Sequence, residues 1–283
     1  MPAVRHDDGL AALVASDGWE TIADGFGFTE GPVWLPDGAL LFSDIPNSRI
    51  HQWQGGTLTV HREPSGQSNG LTLDRQMRLI ACEHQNRRVS RESDGVVETL
   101  ATQFEGRRLN SPNDVIVRSD GRIFFTDPPY GIEELARELP YNGVFTISPA
   151  GEVALLATDF DRPNGLALSP DERTLYIADT ARHQVRAFNV SSAGEIDSGR
   201  IFVTMRDEGR PDGMKVDRDG RVFVCAHGVQ VFDANARPLG IIDCPQMPAN
   251  CAWGDDGSTL YVTARTAVYR ARFETIGIAP SLT

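Results

Sequence analysis

Apolar and polar positions alternate with a period of two along most of the chain. Thr174-Leu175-Tyr176-Ile177 and Arg221-Val222-Phe223-Val224 are typical: short runs of β-branched and aromatic residues, bounded by Asp-Gly or Pro-Asp turns. Such runs predict strands joined by tight hairpins. Helical periodicity is nearly absent. One exception is Asp8 to Ala15, read as a short helix packed outside the main body or as an unanchored tail. The other is Ile132 to Leu139, whose pattern predicts about two helical turns.

The strand pattern repeats. Six segments align: TEGPVWLPDGALLFSDI from Thr29, SNGLTLDRQMRLIACE from Ser68, PNDVIVRSDGRIFFTD from Pro112, PNGLALSPDERTLYIAD from Pro163, PDGMKVDRDGRVFVCA from Pro211 and ANCAWGDDGSTLYVTA from Ala249. Each reads as a polar anchor, a strand, a turn and a second strand. The anchors Glu30, Asn69, Asn113, Asn164, Asp212 and Asn250 are separated by 39, 44, 51, 48 and 38 residues. That interval is the size of one four-stranded propeller blade. Third strands follow after short polar gaps, as in Ser48 to Trp53 and His183 to Phe188. The expected fold is all-β: a six-bladed β-propeller over residues 19–283, after an N-terminal extension of residues 1–18. Trp19 to Ala23 lies before the first anchor and is expected to complete the last blade, closing the ring. The longest interval contains PPYGIEELARELPYNG, Pro128 to Gly143, which leaves on the anchor side and is placed to roof the site as a lid.

Composition narrows the function. The chain has 283 residues, 40% of them hydrophobic, enough for one large core. No run approaches the eighteen or so apolar residues of a membrane span, and MPAVRHDDG has no apolar signal-peptide core, so the expected location is the cytoplasm. A net charge of -12 disfavours nucleic acid and anionic membranes and is compatible with a cation site. Cys82, Cys225, Cys244 and Cys251 form no CxxC pair, so they predict neither a zinc site nor a disulfide framework.

Repeat symmetry puts the six anchors in a ring at one end of the axial channel. They are all oxygen donors, with no His or Cys, which disfavours zinc and softer metals. Calcium takes six to eight such oxygens, and Glu30 and Asp212 together balance one divalent charge. The competing reading is that Asn and Asp before Gly only make turns. Glu30, a poor turn former at the same repeat position, weighs against it.

Other motifs carry less. Asp217-Arg218-Asp219-Gly220 and Asp255-Asp256-Gly257 lack the alternation and closing Glu of a calcium loop and read as hairpin turns. GFGFTEG has the wrong glycine spacing for a dinucleotide fingerprint, and no GxSxG elbow is present. Asp44, Glu83, Asp127 and Asp179 end second strands. Hydrogen bonding between blade strands is the favoured reading for them, substrate contact the alternative. His84 and His227 are candidates for the pocket rim, or satisfied structural histidines.

FTEGPVW (28–34), SPNDV (111–115), PNGLALS (163–169) and PDGMKVD (211–217), with ACEHQNRRV (81–89) and FTDPPYG (125–131), together resemble the gluconolactonase and regucalcin (senescence marker protein) family, the bacterial gluconolactonases most of all. The likeness runs from about Phe26 to Phe273. It implies a six-bladed propeller that hydrolyses a sugar lactone, such as glucono-1,5-lactone, with one divalent cation at the channel mouth, commonly calcium, with zinc, magnesium and manganese as alternatives. It further implies Glu30, Asn164 and Asp212 as metal ligands, Asn113 as the fourth, and Asp212 as general base. The expected substrate contacts are Asn113, Asn110, Glu83, His84 and Tyr130. Ser111 stands where regucalcin-type members carry an arginine, so that contact is not expected here. The expected partner is a small sugar lactone, and the expected state a monomer or weak dimer. Two other readings stay open: a broader esterase or organophosphate hydrolase on the same cation, and a non-catalytic calcium-binding or interaction propeller.

Overall fold

A computed structural model of the protein describes residues 2–15 and 17–280. Six antiparallel sheets of four strands stand around one axis, each built in sequence order from the channel outward. Blade 1 comprises Thr29–Trp34, Leu40–Asp44, Arg49–Gln54 and Thr57–Arg62. Blade 2 comprises Ser68–Leu73, Leu79–Glu83, Arg88–Ser93 and Val96–Ala101. Blade 3 comprises Val115–Val117, Ile123–Asp127, Asn142–Ile147 and Val153–Phe160, and blade 4 Pro163–Leu168, Thr174–Asp179, Gln184–Asn189 and Arg200–Thr204. Blade 5 comprises Met214–Val216, Val222–Ala226, Gly228–Phe232 and Pro238–Ile242. Blade 6 takes Pro248–Gly254, Thr259–Ala264 and Ala267–Arg272 from the end of the chain and its outer strand, Glu20–Asp24, from the beginning. Pairing of Glu20 with Arg270 and Asp24 with Ala267 closes the ring, and the Arg270 guanidinium grips the Glu20 carboxylate at 2.8 and 3.1 Å.

The short apolar runs have a direct cause here. Blade faces pack against neighbouring blades, so both faces of the inner strands are buried and each blade boundary holds its own apolar cluster. The largest lies between blades 5 and 6, where Trp253, Phe223 and Phe273 meet edge to face at 5.0 to 5.7 Å.

The N-terminal segment belongs to this packing. Val4–Arg5 adds a fifth strand to blade 5, and Leu10 and Val14 are buried in the cluster of blades 5 and 6. Of the helix read over Asp8 to Ala15, only a 3-10 turn forms at Ala11–Leu13, where Asp7 Oδ1 accepts from the Gly9 and Ala11 amides. Val14 is drawn off into a bridge with Phe273. The two helical turns read over Ile132 to Leu139 are likewise a single 3-10 turn, Glu134–Ala136, with Glu133 and Arg137 extended on either side. Eight residues are too few to hold a helix unaided. Tertiary contacts win: Leu139 is buried among the residues of blades 2 and 3, and Arg87 holds the Ala136 carbonyl at 2.9 Å.

No helix among the described residues is long and apolar enough to cross a membrane.

Candidate functional site

The anchors converge because each stands at or just before the start of a first strand, where the strands of neighbouring blades come closest. The ladder is irregular there: register shifts follow Glu30, Ser68 and Pro163 and precede Asn250. A glycine follows the anchor in four blades, at Gly31, Gly70, Gly165 and Gly213. Gly31 shows why. Its φ is +49°, and a Cβ there would stand 2.0 Å from the Asn69 carbonyl oxygen. Adjacent anchors are then stitched together. Gly70 N donates to Asn113 O at 2.8 Å, Ser43 Oγ to Asn69 O at 2.8 Å and Thr126 Oγ1 to Asn164 O at 2.8 Å.

Glu30, Asn69, Asn113, Asn164 and Asn250 are buried, and Asp212 is half-buried. Burial pushes the Glu30 carboxyl well above the ordinary range, and the charge of Asp212 pushes it further, against the Gly31 amide that donates to its Oε2 at 2.8 Å. Asp212 is also raised, by burial and then by the charge of Asp114, with Asn164 and Arg265 opposing. Two carboxylates that burial and neighbouring negative charge hold above the ordinary range form a site that a cation would relieve. Asn164 Nδ2 donates to Thr180 Oγ1 at 3.0 Å, and its amide also serves Asp212 and Tyr130 as a hydrogen-bond partner. Asn69 Nδ2 lies 3.2 Å from His84 Nε2. Nδ2 can only donate, so Nε2 accepts and His84 is neutral; burial holds its pKa down to about 4. Among the described residues no three His, Cys, Asp or Glu side chains cluster as a metal would require. A cation here depends on two acids and on amide oxygens, a donor set that suits a hard ion.

The sequence-derived residues divide into two groups. Glu30, Asn113, Asn164 and Asp212 come together at the mouth. Tyr130 joins them: burial and the Asp212 charge raise its phenol, while Thr180, Arg162 and Asn164 beside it oppose. Asn110 and Glu83 are placed differently. Asn110 is fully buried, its amide donating to the Asp127 and Tyr141 carbonyls at 3.0 and 2.9 Å. Glu83, also buried, receives Arg62, Arg88, Ser90 and Asn86. Asp44, Asp127 and Asp179 hold the loops that enter the anchors, taking the backbone amides of Gly27 and Phe28, of Asn110, and of Asp161 and Arg162. His227 is exposed, with Nδ1 3.1 Å from the Asp207 carbonyl.

Four participants went unread in the sequence. Asp114 is buried one residue after an anchor, its Oδ2 without a hydrogen bond among the described residues. Burial raises its carboxyl, and Lys215, the only lysine in the chain, opposes. An acid at a position that is glycine in four other blades was the available signal. Arg162, two residues before its anchor, and Thr180 and Arg265, each directly after a second strand as His84 is in blade 2, stood at repeat positions that could have marked them.

A six-bladed propeller whose channel mouth gathers two acids and several amides defines a class in which one polar ring serves a small ligand. The chain belongs to the family described as SMP-30/Gluconolactonase/LRE-like region, which matches residues 28–266. It is 34% identical to the gluconolactonase of Zymomonas mobilis over 94% of this chain and 84% of that one. Regucalcin of Xenopus laevis is 28% identical, over 86% of this chain and 85% of its own. The solved structure of a Xanthomonas campestris gluconolactonase superimposes with a TM-score of 0.90 at 34% identity, covering 96% of this chain and 95% of the other.

Proposed function

We propose that the protein is a sugar lactonase, hydrolysing glucono-1,5-lactone or a close relative, and that it works with one divalent cation, calcium first. The observation that carries the reading is the pair Glu30 and Asp212, buried and half-buried acids that burial and neighbouring negative charge hold above the ordinary range inside a ring of amides. The likeness to proteins named gluconolactonase over nearly the whole chain supports the substrate class. Glu30, Asn113, Asn164 and Asp212 would hold the cation, which when bound supplies Lewis-acid polarisation of the lactone carbonyl.

The chain's own groups do the rest. Asp212 accepts a proton from the attacking water as the water oxygen bonds to the carbonyl carbon. The ring carbon–oxygen bond then breaks, and the proton passes from Asp212 to the departing ring oxygen, leaving an open hydroxy acid. Without a cation, burial and the charge of Asp114 raise the Asp212 carboxyl; a bound divalent ion would lower it and keep the carboxylate ionised, the form that can accept a proton. Asn113, His84 and Tyr130 would meet the sugar hydroxyls, with Asn110 and Glu83 acting behind them through the hydrogen bonds they make.

The test is acid release in a pH-stat from glucono-1,5-lactone, with metal-stripped protein and after calcium is restored. The reading expects a rate above spontaneous ring opening that disappears with the metal and returns with it. A rate indifferent to metal would remove the cation, and no rate under any metal would remove the lactonase.

A further inference from the structure

The mouth of the channel carries its positive charge on one side. Two residues before the anchor, blades 1, 2 and 3 present Phe28, Gln67 and Ser111, whereas blades 4 and 5 present Arg162 and Arg210. Blade 6 adds Arg265 from the turn between Thr259–Ala264 and Ala267–Arg272. That turn is bound to the site: the Arg265 carbonyl accepts the Thr29 amide at 2.7 Å, one residue from Glu30. Arg162 and Arg265 are tied to the site electrically as well: Arg265 acts on Asp212, and Arg162 on Tyr130 beside it.

Both are held by stacking. The Arg162 guanidinium lies 5.3 Å from the centre of the Tyr130 ring, and that of Arg265 lies 5.7 Å from the centre of the Phe28 ring. Arg265 has a further contact, Nη2 to Met247 Sδ at 3.8 Å. Among the described residues neither guanidinium has a carboxylate within salt-bridge reach. Arginines further out are paired: Arg182 with Asp179, Arg186 with Asp159, and Arg5 with Asp207 and Asp243. An aromatic shelf fixes the plane of a guanidinium while leaving N–H edges free, the geometry that takes a carboxylate or phosphate in a fork. A chain of net charge -12 otherwise repels anions, so a cationic arc at the mouth has a selective effect.

We infer that the mouth selects a lactone bearing an anionic oxygen group, a carboxylate or a phosphate, remote from the carbonyl, and that Arg162 and Arg265 grip it. This rests on the lactonase reading and names its substrate class. A neutral lactone would enter the same ring but leave both forks unfilled.

The experiment compares neutral glucono-1,5-lactone with a carboxylate-bearing glucaro-lactone and with the 6-phosphate of glucono-1,5-lactone, at low and high salt. One charged lactone should show a kcat/KM at least tenfold above the neutral one, with the advantage shrinking in high salt; which one identifies the anion. Arg162→Gln with Arg265→Gln should cut the ratio of charged-lactone to neutral-lactone kcat/KM at least tenfold, whatever the change in the neutral value. Charged lactones no better than the neutral one, or an equal loss on all three, overturns the inference while the lactonase reading stands. If no lactone is turned over, calorimetry with gluconate, glucarate and 6-phosphogluconate still decides: arginine-dependent preference for the doubly anionic acids supports the arc, and equal binding overturns it.

Discussion

Thr180 joins two site residues through one hydroxyl. Its Oγ1 accepts Asn164 Nδ2 at 3.0 Å and donates to the Pro211 carbonyl at 2.6 Å, immediately before Asp212. Asn164 is thereby held in place beside Asp212, and the loop that carries the acid is fixed to the neighbouring blade. Such supporting contacts typically change metal affinity by about 10- to 100-fold when removed. Thr180→Val keeps the shape and deletes both bonds. Calcium affinity of that variant, measured by calorimetry, should fall by about tenfold or more with the fold intact by circular dichroism; wild-type affinity would mean Asn164 needs no such support.

His84 makes the fold sensitive to acid. It is neutral when folded, held down to about 4 by burial, and an unfolded histidine titrates near 6.5. Between those values the unfolded chain binds a proton that the folded chain refuses. The contribution is therefore fully present above pH ~6.5 and is lost as pH falls toward 4. His84→Gln keeps an acceptor for Asn69 and removes the titration. Urea unfolding at pH 7 and pH 4.5 should show wild type losing about 2 kcal/mol more than the variant across that interval. Parallel losses would place the acid sensitivity elsewhere.

Gly31 and Gly38 separate crowding from backbone strain. Both have positive φ, but a Cβ at Gly31 meets the Asn69 carbonyl at 2.0 Å while one at Gly38 meets nothing within 4 Å. Gly38→Ala should cost about 1 kcal/mol, and Gly31→Ala about 3 kcal/mol or more, with loss of calcium binding because the strand carrying Glu30 must move. Equal melting temperatures for the two variants would contradict the close approach of blades 1 and 2.

Much of this was legible because a propeller writes its geometry repeatedly. The runs at Thr174 to Ile177 and Arg221 to Val224 lie within strands Thr174–Asp179 and at the start of Val222–Ala226, and Trp19 to Ala23 overlaps the ring-closing strand Glu20–Asp24. Equivalent repeat positions then brought the anchors to one end without any long-range reasoning. What failed was whatever a single blade does not encode. The segments at Asp8 to Ala15 and Ile132 to Leu139 have local patterns of a helix, yet burial of Leu10 and Leu139 against other blades sets their shape. Thr180 and Arg265 directly follow second strands, the position His84 holds in blade 2, where the residue type changes from blade to blade and hides the repeat. Glu83 has the composition of a site residue, but the four donors around it are scattered from Arg62 to Ser90.

The central claim is that Glu30 and Asp212 form one cation site. It is tested most directly by titrating calcium into metal-stripped wild type, Glu30→Gln and Asp212→Asn, with heat as the readout so that catalysis does not enter. The account predicts one ion per wild-type chain, affinity reduced at least tenfold in Glu30→Gln, and a smaller loss in Asp212→Asn, because Asp212 is the less buried of the two charges. Wild-type affinity in both variants, or no heat from the unmodified chain with any divalent ion, would contradict it.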